Sequence, residues 1–179
     1  MDRLENILGA QALALTDRLL SEPGPSEAGS AEAGSAAQPS SEQAALVTLT
    51  AHPGRPVSWL GGVLGLSSSG ITRLLDRLVA EGLVTRTAGG DGRSRTVDLT
   101  PRGRERARRL TASRGRSMSD ALVGLTPQDR ADLERLLGLV VANLAPTRVP
   151  ALRVCRLCDR TACASNGREC PLEATGRDR

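Results

Sequence analysis

Residues 59–86, WLGGVLGLSSSGITRLLDRLVAEGLVTR, decide the fold of this 179-residue chain. Val57–Leu64 is predicted to be a short helix capped by Ser58, and Gly65–Leu66 to be a tight turn. Ser67 is a typical N-cap, so a second helix follows it and ends at Glu81–Gly82. The apolar residues of this second helix recur at helical spacing and are predicted to face inward; they are Ile71, Leu74, Leu75, Leu78 and Val79.

The flanking segments complete a recognisable order of elements. A short apolar-faced helix is predicted over 42–51, before the pair of helices. After the pair, Leu83–Thr87 and Thr96–Leu99 read as strands around the Gly-rich segment AGGDGRSR, residues 88–95. Three helices followed by a two-stranded hairpin is the order of a winged helix-turn-helix domain.

The outer face of the second helix has the chemistry of a DNA-reading surface. In such domains the second helix lies in the major groove. Its exposed face is expected to carry short hydroxyls and one Arg that can pair with a guanine edge, with Arg77 as a phosphate contact; the face residues are Ser68, Ser69, Thr72 and Arg73. In the hairpin, Arg93 and Arg95 flank a Gly-rich tip, where an Arg could enter the narrow minor groove. The competing interpretation is that the hydroxyls only cap a core helix.

The charge distribution agrees with a nucleic-acid partner. All 24 basic residues are Arg, and residues 55–125 hold 13 of them against six acidic residues, whereas residues 1–54 are net acidic. A basic middle section is what binding to the phosphate backbone requires.

The segment LSSSGITRLLDRLVAEGLVTRTAGGDGRSRTVDLTPRG, residues 66–103, resembles the core of MarR-type winged helix regulators, most strongly in DGRSR and VDLTPRG. The resemblance implies a homodimeric repressor that reads a pseudo-palindromic operator in double-stranded DNA. It assigns the helix-face contacts to the four residues named above and the minor-groove contact to Arg93. Asp91 and Arg95 would support the wing, and the first and last two helices would pair across the dimer.

We therefore expect a mainly α (α+β) fold with five parts. Residues 1–20 would form an N-terminal dimerisation helix, 21–41 a flexible linker rich in Ser, Gly, Glu and Ala, and 42–100 the winged domain. Thr100–Pro101 and Thr126–Pro127 are helix start signals, so 101–145 would form dimerisation helices. Residues 146–179 would form a cysteine-rich metal-binding tail.

The tail contains all four cysteines of the chain in a C-x2-C-x4-C-x6-C pattern: Cys155, Cys158, Cys163 and Cys170. Such spacing lets four thiolates surround one ion, and zinc is the expected cofactor. A cysteine-ligated iron–sulfur cluster is the alternative, and the Pro that follows the last Cys is typical of ferredoxin-like runs. Thiols that respond directly to oxidants, and four unrelated buried cysteines, stay open. Flanking cations would favour thiolates; they are Arg153, Arg156, Arg160 and Arg168.

These features predict a DNA-binding transcriptional regulator, not an enzyme, whose tail senses metal or redox state. Because the tail follows the expected dimer helices, its occupancy could change the spacing of the two winged domains. Two alternatives are a thiol-redox enzyme using Cys155 and Cys158, and a metal-stabilised protein-interaction module. The single His, His52, has no partner at ligand spacing and is expected in a turn. No signal peptide or membrane span is visible, so we expect a cytoplasmic protein with no membrane partner.

Overall fold

The computed structural model describes residues 2–21, 38–89, 94–145, 148–163, 167 and 170–172. The first four helices are α1 (Arg3–Ser21), α2 (Gln38–Ala51), α3 (Val57–Leu64) and α4 (Ser68–Ala80). They are followed by α5 (Pro101–Ala121), α6 (Pro127–Leu144), α7 (Arg148–Val154) and α8 (Arg160–Cys163), with a 3-10 turn at Cys155–Leu157. The strands are β1 (Arg55–Pro56), β2 (Val84–Ala88) and β3 (Arg95–Leu99). The mainly helical winged fold is confirmed.

The sheet has three antiparallel strands in the order β1-β3-β2. The β2–β3 hairpin is the predicted wing, with a register that runs from Val84 opposite Leu99 to Ala88 opposite Arg95. β1 was not predicted; its two residues pair with Thr96 and Val97 of β3. This third strand fixes the base of the wing to the segment that enters α3.

One core unites α2, α3, α4 and the sheet. Its largest fully buried side chains are Leu46, Leu49, Leu60, Leu75, Leu78, Val84 and Val97. Ile71 and Leu74 join them from α4, as predicted. Val79 was predicted to be buried and is 41% exposed, because it lies about 100° around the helix from Leu78 and falls outside the stripe. The core turns the opposite face of α4 outward.

The helix starts follow the predicted caps, with two corrections. The hydroxyls of Ser67, Thr100 and Thr126 accept backbone N–H bonds at the starts of α4, α5 and α6. Ser58 is not a cap: α3 begins at Val57, two residues earlier than that assignment requires, and Pro56 occupies the N-cap position. Helix α2 begins at Gln38, four residues before the predicted start. Residues 38–41, predicted to be the end of the flexible linker, are therefore helical. Residues 22–37 of that linker lie outside the described residues.

Helices α1 and α6 each expose several large apolar side chains to solvent. In α1 these are Leu4, Ile7, Leu8 and Leu13, and in α6 they are Leu136, Leu139 and Leu144. None of the helices within the described ranges combines the length and apolarity needed to cross a bilayer. Within the described part of the chain, these apolar side chains of α1 and α6 thus stay in contact with solvent.

Candidate nucleic-acid interface and cysteine cluster

The outward face of α4 presents the predicted residues together. Ser68, Ser69, Thr72, Arg73 and Arg77 are all exposed, while the opposite stripe is buried in the core. The hydroxyl of Thr72 donates to the carbonyl oxygen of Ser68 over 2.9 Å, and the hydroxyls of Ser67 and Ser69 lie 3.2 Å apart. Each hydroxyl oxygen still has lone pairs to accept a donor from a base or from water.

The two Arg of this face, Arg73 and Arg77, differ in their surroundings, since the charge of Arg77 acts on the Glu42 carboxyl. Within the part of the chain that the structure describes, neither Arg73 nor Arg77 forms a salt bridge. Arg73 lies near the N-terminal end of α4 and Arg77 one turn further on. These positions suit a base contact by Arg73 and a phosphate contact by Arg77.

The wing is described only in part. Arg95 begins β3, is exposed, and lies opposite Ala88 of β2. The predicted tip residues Asp91 and Arg93 lie outside the described residues. Arg95 is thus the one predicted wing residue whose placement the structure gives, and it lies at the base of the tip.

An open groove of about 620 Å³ separates the wing from the starts of α3 and α4. Its polar lining comes from Ser58, Ser68, Thr72, Arg86 and Arg95. The groove brings the helix-face hydroxyls and the wing Arg onto one surface, which is the arrangement that a duplex spanning both elements requires.

Arg86 joins the wing to α4, a role that no pattern in the sequence predicted. Its Nη1 lies 2.7 Å from Oδ1 of Asp76, and its Nη2 donates to the carbonyl oxygen of Thr72 over 3.0 Å. One side chain of β2 therefore holds two points of α4. The bonds span 10 and 14 residues between two elements, so no short-range pattern in the sequence could reveal them.

The four cysteines form two interacting pairs. The thiol of Cys155 hydrogen-bonds to Cys158, and that of Cys163 to Cys170. The pairs interact electrostatically, since the charges of Cys163 and Cys170 reach Cys155. Cys155, Cys158 and Cys170 are half-buried and Cys163 is exposed. The structure thus places all four predicted residues in one neighbourhood.

The paired thiols differ in acidity. The hydrogen bond from Cys155, together with the nearby Arg114, Arg156 and Arg160, lowers the pKa of Cys158 to about 6 against the opposing effect of burial. Donating that bond raises the pKa of Cys155, with burial adding to the effect. Burial and the charge of Cys170 raise the pKa of Cys163. Cys158 is therefore the thiol most readily present as a thiolate.

Arg114 lies on α5, so the positive charge around the thiols comes from two parts of the chain. The predicted flanking Arg156 and Arg160 are present beside Cys158, whereas Arg168 lies outside the described residues. Across the described ranges, no group of three or more His, Cys, Asp or Glu side chains is arranged to hold a metal ion without movement. Coordination by all four sulfurs would require the two pairs to approach each other.

Comparison with protein families gives one match. The model of the MarR family matches residues 40–94, which run from the first turn of α2 through β2 and end just before β3. A comparison with curated protein sequences finds no match.

Solved structures match over most of the chain. A MarR-family transcriptional regulator from Silicibacter pomeroyi is 30% identical, with 79% of this chain and 92% of that chain covered and a TM-score of 0.58. A probable transcriptional regulator from Pseudomonas aeruginosa is 26% identical, with 77% and 99% covered and a TM-score of 0.53. The PcaV regulator of Streptomyces coelicolor, solved with its natural ligand, is 27% identical, with 73% and 87% covered and a TM-score of 0.50.

Proposed function

Because this chain belongs to the MarR family of DNA-binding transcriptional regulators, we propose that it is a homodimeric repressor of a pseudo-palindromic operator. Members of this family are regulators and not enzymes, which rules out the thiol-redox enzyme alternative for the chain as a whole. The observation that carries the proposal is the outward face of α4, where two Arg without salt bridges in the described structure lie beside exposed hydroxyls.

The proposed division of labour on this face follows from position. Arg73, near the N-terminal end of α4, would read a base edge, and Arg77 would contact a phosphate. Ser68, Ser69 and Thr72 would accept or donate at bases and phosphates, and Arg95 would support the wing. Asp91 and Arg93 keep their predicted roles at the wing tip as part of this proposal.

The test is a binding measurement with a duplex that the wild-type protein selects from a random-sequence pool. Arg73→Ala is expected to lose about 1–3 kcal/mol of binding and to relax the preference at one base pair. Arg77→Ala is expected to weaken all duplexes similarly and to reduce the slope of log affinity against log salt by about one. Unchanged affinity in both variants would mean that α4 does not enter the groove.

The proposed dimer is supported by the exposed apolar residues of α1 and α6. Leu4 and Leu139 are 73% and 59% exposed, and the other members of these two rows are exposed as well. Exposed apolar rows on helices that flank the winged domain in sequence are typical of an interface between subunits. A two-fold dimer would place two copies of α4 on one face, which matches a pseudo-palindromic operator.

We further propose that the four cysteines bind zinc, with an iron–sulfur cluster as the alternative, and that the site senses metal or redox state. Four sulfurs in one neighbourhood, with Arg114, Arg156 and Arg160 to offset thiolate charge, supply the donor set that either group needs once the two pairs approach each other. Metal content and absorption of protein purified without oxygen distinguish them. Stoichiometric zinc in a colourless sample supports the zinc site, and iron with sulfide in a brown sample supports the cluster. A sample that contains neither zinc nor iron would refute the site.

A further inference from the structure

The cysteine tail lies against the winged domain of its own chain. The 3-10 turn Cys155–Leu157 packs on α2, where the hydroxyl of Thr48 donates to the carbonyl oxygen of Arg156 over 3.2 Å. Thr48 is only 5% exposed, so this contact is covered. The bonded carbonyl lies between Cys155 and Cys158. The backbone of the C-x-x-C pair is thus attached directly to a helix of the DNA-binding domain.

Helix α7 brings the tail to the turn of the helix-turn-helix. Gly65, with φ of +68°, closes α3 and leads into α4. The guanidinium of Arg153 lies over this glycine so closely that a Cβ there would be 2.6 Å from Nη2. Arg153 is two residues before Cys155. The same short segment therefore holds a sulfur at one end and covers the turn before α4 at the other.

A third contact reaches α3. Nη1 of Arg160 lies 3.1 Å from Nε2 of His52, and the His52 ring meets the edge of Trp59 with ring centroids 5.2 Å apart. Arg160 lies two residues after Cys158, and Trp59 belongs to α3. Contacts on both sides of the C-x-x-C pair thus end on the elements that position α4.

We propose that the tail acts as a clamp on its own winged domain: what the sulfurs of Cys155 and Cys158 bind determines whether Arg153 covers the α3–α4 turn, and so sets operator affinity. This inference rests on the proposed DNA-binding function. In this scheme the sulfurs affect α4 through contacts within one chain, whereas a change in dimer spacing would act between chains. Arg153 is a positioning residue in this scheme and touches no DNA.

A double-mutant cycle in the full-length protein tests the clamp. The four proteins are wild type, Arg153→Ala, the pair Cys155→Ser with Cys158→Ser, and their combination. Operator affinity is measured by fluorescence anisotropy on the selected duplex. We expect each change to lower affinity by about fivefold or more, and the combination to be no weaker than either change alone, because both break one route.

Arg116→Ala is the control for lost charge, since Arg116 is an exposed Arg of α5. It is expected to stay within about twofold of wild type and to combine additively with the cysteine changes. If Arg153→Ala leaves affinity unchanged, or if its effect adds fully to that of the cysteine changes, the clamp is overturned. An additive result is also what control through dimer spacing would give.

Amide hydrogen exchange tests the clamp without DNA. The N–H of Leu66 donates to Gly61 over 2.9 Å and that of Gly65 to Gly62 over 3.3 Å. Arg153→Ala and the cysteine pair should both speed exchange at these amides and leave the β2–β3 ladder unchanged. Unchanged exchange at the turn overturns the clamp even if the protein binds DNA. Failure of wild type to select any duplex would instead refute the proposed function.

Discussion

At the scale of single residues, Gly103 marks a close approach between α5 and the residue that leads into β2. It is buried in the first turn of α5, and a Cβ there would clash with the carbonyl oxygen of Leu83. Thr100 completes the junction, because its hydroxyl donates to the carbonyl of Gly82 over 2.7 Å and accepts from the N–H of Gly103. The TPRG segment is therefore a packing motif that joins the hairpin to the following helix.

Gly103→Ala is expected to lower the free energy of unfolding by about 1–3 kcal/mol, since backbone atoms must shift to admit the methyl group. Urea denaturation measures the loss. Gly115→Ala is the matched control, because Gly115 lies on the same helix with nothing within 4 Å of an added Cβ. There the gain in helix propensity should stabilise the protein by about 0.5–1 kcal/mol. Equal losses in both variants would contradict the packing argument.

Glu42 predicts a pH-dependent stability. Burial, and then the charge of Glu81, raises the pKa of its carboxyl above the ordinary value of 4.5, although Arg106 and Arg77 act in the opposite direction. A carboxyl with a raised folded-state pKa binds its proton more tightly in the folded protein. Its contribution to stability is therefore present at acid pH and lost as pH rises through the folded pKa.

Glu42→Gln removes this charge and should stabilise the protein at neutral pH by less than about 1 kcal/mol, given the partial exposure. The advantage should shrink as pH falls toward 4.5, where the wild-type carboxyl becomes protonated. Urea denaturation at both pH values measures it. A gain that is the same at both pH values would indicate altered packing instead of charge.

At the scale of elements, β2 and α4 are held in one geometry by Arg86 and Asp76. Both are partly exposed, so the pair adds little to global stability. We expect its effect to be on the angle between α4 and the wing, the two elements proposed to meet DNA together.

Asp76→Asn is expected to lower operator affinity severalfold while changing the free energy of unfolding by less than about 1 kcal/mol. The direction is diagnostic, because removing a negative charge near DNA would by itself strengthen binding. Anisotropy and denaturation on the same samples measure both quantities. Tighter binding by Asp76→Asn would show that the pair has no positioning role.

The sequence predicts an element well where the signal is local. The inward stripe and Ser67 cap of α4, and the Thr-Pro starts of α5 and α6, lie within one or two turns of the residues they organise. β1 has two residues and no pattern of its own, since only pairing with β3 makes it a strand. Arg86 was missed for the same reason: its partners lie on another element. The helix-face residues were placed together correctly, whereas their contacts with DNA stay predictions.

At the scale of the whole molecule, the exposed rows of α1 and α6 predict the state of assembly. Leu139→Glu would place a carboxylate in the proposed interface, where it would lose water without a partner. The variant is expected to be monomeric and to bind the palindromic duplex much more weakly. Sedimentation equilibrium measures the mass, and Leu139→Met, which conserves volume, should remain dimeric. A wild-type monomer, or a dimeric Leu139→Glu variant, would contradict this interface.

The placement of the tail could not be predicted from the sequence. Its spacing pattern indicates a four-sulfur neighbourhood, but the contacts of Arg156 with Thr48 and of Arg160 with His52 each span 108 residues. His52 was predicted only as a turn residue. The interaction of His52 with the tail depends on where α7 folds back, which follows from the packing of Ala145, Ala151 and Leu172.

The position of Trp59 gives the molecule an optical reporter of its own tail. The chain has one Trp and no Tyr or Phe, so its ultraviolet emission arises from a single indole. That indole meets His52 at its edge and has the guanidinium of Arg55 5.3 Å from its centroid. Since His52 also receives Arg160 of the tail, release of the tail changes the surroundings of the only emitter. The movement can thus be followed in unlabelled, full-length protein.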